Sequence, residues 1–184
     1  LTDASVITIS ADLEAHGGTI TLASPSANNI IVDSGNVTNS NGGLIVFSSD
    51  RVRLGAGHTY IGSVETDGNV IVQPFTPGAV LVGNNNNGGG SSQPDDDPEN
   101  TALVNADSIR VIKADTLIIG STDVTDLTIG SPTGIPGAPV NFPAYPGINS
   151  AAHNLEFLTG PNGSITQDQR TPIAVSSGLF SDDV

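Results

Sequence analysis

The sequence predicts an all-β chain coiled as a parallel β-helix, a solenoid with surface loop insertions. Three observations point there. First, short β-branched segments keep returning: Val6–Ile9, Thr19–Leu22, Ile30–Val32, Leu44–Phe47, Val70–Val72, Val80–Val82, Ile109–Ile112, Thr116–Ile119 and Leu127–Ile129. Val, Ile and Thr fit a pleated strand and lose rotamer freedom in a helix. Second, most of these segments run directly into Gly, Asp or Ser, and in the first half their starts recur at roughly ten to fourteen residues, so they behave as units of a stack. Third, apolar residues make up 36% of the chain but aromatics only 4%, with no Trp, Met or Cys. Such a core must be assembled from small branched side chains, which suits thin layers better than a ball.

Residues 1–83 carry the regular part. Gly17-Gly18, Gly35, Gly42-Gly43, Gly55, Gly62 and Gly68 fall between the apolar segments, and Asn41-Gly42 and Asp67-Gly68 are strong turn signals. Hairpins of an antiparallel sandwich are one reading of that punctuation. The segments, however, are nearly continuous apolar triplets rather than long alternating strands, and a triplet between turns is one side of a β-helical rung. Residues 84–100, four Asn, three Gly and then an acidic run, hold no large apolar residue to bury and read as a flexible, solvated insertion. Strands resume over 101–130. Residues 131–150 hold five of the chain's 12 prolines and read as an irregular excursion or an edge. Leu155–Leu158, Ser164–Thr166 and Ile173–Val175 are further short strands, and no amphipathic helix is expected anywhere. At roughly 20–25 residues and about 4.8 Å per rung, the whole chain would form about seven or eight rungs, on the order of 35 Å long.

Five Lys and Arg stand against 19 Asp and Glu, a net charge of −14. Nucleic acid is excluded as a partner, because that affinity comes from neutralising phosphates with cations, and an anionic membrane surface is disfavoured for the same reason. No apolar run approaches the roughly 18–20 residues of a membrane span. The absence of cysteine removes disulfides, thiol nucleophiles and thiolate metal sites. The chain starts at Leu1 without a signal peptide and reads as a fragment or mature product of something longer.

No constellation of catalytic residues emerges. Asp95, Asp96, Asp97 and Glu99 are oxygen-rich enough for Ca²⁺, but three consecutive Asp splay apart, and a solvated loop is the plainer reading. His16, His58 and His153 lie far apart beside turns, without the spacing of a metal or catalytic motif. Asp3, Asp12, Glu14, Asp33, Asp50, Asp67, Asp115, Asp123 and Asp126 are scattered near turns. Paired carboxylates can cleave glycosides, but the cations Arg51, Arg53, Arg110, Lys113 and Arg170 lie largely within or beside strands. Aromatics for stacking a sugar are nearly absent beyond Tyr60, Tyr145 and five Phe. Thr8, Thr19, Thr21, Thr116 and Thr128 show no strict Thr-x-Thr array of the kind that would bind ice or polysaccharide. Two glycosylation sequons are present, Asn36-Val37-Thr38 and Asn162-Gly163-Ser164. The reading is a protein that is not an enzyme and needs no cofactor.

The block Leu103-Val104-Asn105-Ala106-Asp107, then Ile112-Lys113-Ala114-Asp115-Thr116-Leu117-Ile118-Ile119-Gly120, then Leu127-Thr128-Ile129-Gly130, resembles a repeat of the filamentous-haemagglutinin-like exoproteins and adhesins of bacterial two-partner secretion. Leu155 to Gly160, Gly163-Ser164-Ile165-Thr166-Gln167, Asn41 to Val46 and Gly68 to Pro74 are similar to further parts of that repeat. The insertion at 84–100 and the Pro-rich stretch at 131–150 exceed what the plain repeat needs, and the family's amino-terminal secretion module is not visible. The resemblance implies a right-handed parallel β-helix at the bacterial cell surface or outside the cell, serving as a structural and adhesive stalk. Expected partners are neighbouring rungs, identical subunits joined end to end, and host or bacterial glycans and proteins. Two other functions fit the same sequence: a self-assembling filament subunit, and a polysaccharide-binding or polysaccharide-cleaving module.

Overall fold

A computed structural model describes residues 6–25, 29–54, 62–83, 103–130, 148–167 and 173–175. The first circuit of the chain is β1 (Ile7–Ile9), β2 (Leu13–His16) and β3 (Thr19–Ala23). The second is β4 (Asn29–Val32), β5 (Val37–Ser40) and β6 (Leu44–Ser48), and the third is β7 (Arg51–Leu54), β8 (Val64–Thr66) and β9 (Asn69–Gln73). There follow β10 (Gly78–Val82), helix α1 (Ala106–Arg110), β11 (Ile112–Lys113), β12 (Thr116–Gly120) and β13 (Val124–Ile129). β14 (Ile148–Ser150), β15 (Asn154–Leu158), β16 (Ser164–Gln167) and β17 (Ile173–Val175) complete the described elements.

Every strand pairing among the described residues is parallel. The antiparallel sandwich is therefore excluded: Asn41-Gly42, both at positive φ, turns the chain from one sheet into the next instead of closing a hairpin. Sheet 1 holds β1-β4-β7 and β10-β13-β16, sheet 2 holds β2-β5-β8-β11, and sheet 3 holds β3-β6-β9-β12-β15. A small fourth sheet pairs β14 with β17. The chain visits sheets 1, 2 and 3 in turn and then begins again one strand further along, an all-β architecture compatible with a parallel β-helix.

The register explains the core. In sheet 3 the columns Ile20–Ile45–Val70–Leu117–Leu155 and Leu22–Phe47–Val72–Ile119–Phe157 run through all five strands. Their middle members are fully buried. Sheet 1 contributes Ile7–Ile30–Val52 and Ile9–Val32–Leu54, and sheet 2 contributes Leu13–Val37–Val64–Ile112. Side chains of a strand alternate between faces, and burial follows that rule here: β3 and β9 alternate exposed or half-buried with buried. The sequence hid the alternation because some outward positions are also apolar. Val46, Ile71 and Ile118 form an outward column on sheet 3, half-buried and flanked by Thr21 and Glu156.

Successive partners are spaced as expected only in the first part. Ile20, Ile45 and Val70 are 25 residues apart, but Leu117 and Leu155 follow after 47 and 38. Residues 84–102 and 131–147 fall in those longer intervals, so the chain forms fewer levels than length alone suggests. Sheet 3 has five strands, which spans about 19 Å at roughly 4.8 Å per step.

Two local expectations change. Ile148–Ser150, placed by sequence within the Pro-rich excursion, is strand β14; the last proline of that stretch is Pro146, so the backbone N–H groups of 148–150 remain able to pair. The chain also contains a helix, five residues long. Asn105 caps it, its Oδ1 accepting the Ser108 N–H at 2.7 Å. A helix this short shows no apolar period.

Candidate interaction surfaces

The acidic and amide side chains lie mainly at the corners, where the chain passes between sheets. Most of those described with hydrogen bonds reach across to the neighbouring circuit. Asp12 Oδ1 accepts both the Asn36 N–H at 2.9 Å and the Asn36 Nδ2 at 3.0 Å. Asn36 Oδ1 in turn accepts the Ser63 N–H at 3.2 Å and hydroxyl at 2.9 Å. Asp12, Asn36 and Ser63 thus form a polar ladder over three successive circuits, at intervals of 24 and 27 residues that match the strand spacing. Asp50 receives the Phe75 N–H at 3.0 Å, the Thr76 N–H at 2.7 Å and the Thr76 hydroxyl at 2.7 Å. It fastens the turn that enters β10.

The corner between sheets 2 and 3 uses buried polar side chains. Ala15, Asn39 and Thr66 stack in register. Asn39, fully buried, accepts the Gly17 N–H at 3.1 Å and donates to the Leu44 carbonyl at 3.0 Å and the Gly18 carbonyl at 3.4 Å. One circuit on, Thr66 donates to the Gly43 carbonyl at 2.5 Å and accepts the Gly68 N–H at 3.0 Å. Each side chain satisfies backbone groups that the tight corner takes out of the ladder. Asp67 Oδ2 accepts the Asn41 N–H at 3.3 Å at the same corner.

The remaining polar contacts are exposed. The Ser164 hydroxyl donates to Asp126 at 2.5 Å, and the Thr128 and Thr166 hydroxyls lie 3.3 Å apart. Lys113 faces Glu65 at 3.7 Å and His153 faces Asp115 at 3.5 Å, all more than 40% exposed. Such pairs contribute little in water. His16 Nδ1 meets the Ser40 hydroxyl at 2.8 Å. Arg53 is 3% exposed and donates to the Val52 carbonyl at 3.0 Å.

Against this map, the sequence-derived candidates sort clearly. Asp95, Asp96, Asp97 and Glu99 lie outside the described residues, as do Asp3, His58, Tyr60, Tyr145 and Arg170. Among the described residues no three or more His, Cys, Asp or Glu side chains converge as a metal site. His16 and His153 sit on different circuits with different partners. The threonines do not form one ladder: Thr8 stacks on Ile31 and Thr21 on Val46, while Thr19 and Thr116 belong to a column that also holds Leu44, Asn69 and Asn154. Of the two sequons, Asn36 has both ends of its amide engaged, whereas Asn162 is exposed in a turn. An open groove of about 500 Å³ runs beside β10, lined by Asp50, Thr76, Pro77, Leu81, Leu103 and Thr128 among others, with no aromatic among its described lining residues.

Sequence reading missed the roles of Asp50, Asn39 and Asn105. For Asp12 a signal existed, since Asn36 follows at one circuit's distance. For Asn39 none did, because its partners are backbone groups. No helix among the described residues is long and apolar enough to cross a membrane. Comparisons with protein-family models, curated proteins and solved structures find no match to this chain.

Proposed function

We propose that this chain is a structural and adhesive segment of a right-handed parallel β-helix, a stalk in a secreted bacterial surface filament or adhesin. The observation that carries the reading is the use of polar side chains. Asp12, Asn36, Asp50, Asp67 and Asp126 each bind a neighbouring circuit. These are side chains that a hydrolase would need to aim at substrate, and here they join layers. Stacked apolar columns beneath them give length and stiffness. The similarity of the 103–130 block to the haemagglutinin-like repeat supports an extracellular site of action, with glycans or proteins of host or bacterial surfaces as partners.

A glycan array and a polysaccharide-cleavage assay on the intact chain test this reading. Binding to a defined set of surface glycans or proteins without turnover is the expected result. Turnover of pectin- or alginate-like substrates would overturn it in favour of a β-helical enzyme.

One observation favours a second reading, a filament subunit joined end to end. The buried columns of sheets 1 and 3 come to the surface at their last strand. Ile165 is 48% exposed although its partner Leu127 is fully buried, and Leu155 and Phe157 are half-buried. Sedimentation at rising concentration separates the readings: growing polymers support the subunit, and a constant monomer supports the stalk segment.

A further inference from the structure

Chain order and spatial order disagree at one place. Elsewhere in sheet 1 each strand pairs with the next one along the chain: β1 with β4, β4 with β7, β10 with β13, β13 with β16. β7 does not pair with β10. Leu103 and Val104, which come after β10, stand between them. The Val52 N–H donates to the Leu103 carbonyl at 2.7 Å, the Leu103 N–H to the Leu81 carbonyl at 2.8 Å, and the Gly83 N–H to the Val104 carbonyl at 2.8 Å. Val104 bridges Val52 on one side and Val82 on the other, both parallel. Leu103 and Val104 are 2% and 0% exposed.

When the chain up to Gly83 is in place, the unpaired edge of β7 and the strand β10 are the matching partners. Val52 and Leu54 of β7 are core residues, two apart, and Val80 and Val82 repeat that spacing in β10. Direct docking would set Val80 opposite Val52, 28 residues on. That is close to the 27 that separate Val37 from Val64 in sheet 2. With Val104 interposed, Val82 instead shares the column of Val52. The two arrangements differ by one strand along the stack and two residues along β10. An even slip leaves the same side chains facing the core, so β10 satisfies its apolar face in both.

We propose that β10 has two docking positions, directly on β7 before Leu103 and Val104 arrive, and on Val104 afterwards, so that insertion of this two-residue wedge is the step that completes the stack. An exposed strand edge pairs with whatever suitable strand is available. Here the strand that is nearer in sequence is not the final partner.

The chain has no cysteine, so paired substitutions report each arrangement. Adjacent parallel strands lie about 4.8 Å apart, within reach of a disulfide. Val52→Cys with Val80→Cys reports direct docking. Val52→Cys with Val104→Cys reports the inserted wedge. In the final fold Val52 and Val80 are separated by an intervening strand, roughly 10 Å, and cannot be bridged. During refolding of the full chain under oxidising quench, the Val52–Val80 cross-link should form first and the Val52–Val104 cross-link should later replace it as the majority species. Combining Val104→Gly with the Val52/Val80 pair should raise the direct cross-link several-fold at equilibrium. If that triple variant does not fold, the time course of the double variants still decides the matter. Appearance of the Val52–Val104 link in one phase, with no Val52–Val80 link at any time, would overturn the proposal.

Discussion

Replacing Asn39 with Leu should be among the most destabilising single changes at a polar position of this chain. The side chain is fully buried and similar in volume to Leu, so no large cavity results. What is lost is the acceptor for the Gly17 N–H at 3.1 Å and the donor to the Leu44 carbonyl at 3.0 Å; the 3.4 Å contact with the Gly18 carbonyl is weak. Each backbone group left buried without a partner costs about 1–3 kcal/mol. Allowing one of the two to recover water at the corner, the expected loss is about 2–4 kcal/mol. Asn39→Thr should be milder, because Thr66 performs the same task one circuit on with a hydroxyl. Urea unfolding followed by far-UV circular dichroism, with Asn162→Ala as an exposed control, reads the effect. A midpoint for Asn39→Leu that coincides with that of the control would refute the assignment of Asn39 as a corner clamp.

Phe47→Ala empties the largest fully buried side chain and should cost about 3–5 kcal/mol in the same unfolding assay. Asp50→Ala removes three hydrogen bonds to Phe75 and Thr76; as the site is exposed, about 1–2 kcal/mol is expected, with faster hydrogen exchange at the Thr76 amide. Gly35→Ala should prevent folding or lower the thermal midpoint by many degrees, since the added carbon would overlap the Ala11 backbone of the preceding circuit. Lys113→Ala, which breaks an exposed ion pair, should change stability by less than about 0.5 kcal/mol, and added salt should leave that small difference unchanged or smaller.

The all-β class and its repeat were legible because β-branched triplets and Gly-containing corners are local signals. Parallel pairing was legible only indirectly. It depends on partners 22 to 48 residues apart, and what betrayed it was the brevity of the segments. The outward column Val46–Ile71–Ile118 obscured the alternation within strands, since a half-buried apolar position on a solvent face looks like core in sequence. Length misjudged the number of levels, because residues 84–102 and 131–147 lengthen the chain between sheet 3 partners without adding a strand to that sheet. The polar side chains were the least legible. Asp50 and Asn39 bind backbone N–H and C=O groups of the adjoining circuit, and nothing in their sequence neighbours marks those partners. The place of Val104 ahead of β10 was not legible at all, for it reverses the order of the chain.

The central claim is that successive circuits stack in parallel register. Nuclear Overhauser contacts between backbone protons of Leu44–Gln73 in the labelled protein test it directly. The expected contacts join Ile45 to Val70, Val46 to Ile71 and Phe47 to Val72, so that the difference between partner numbers stays at 25 along the strand. Contacts whose partner numbers keep a constant sum instead, centred on Asn41-Gly42 or Asp67-Gly68, would mean antiparallel hairpins and would contradict the account.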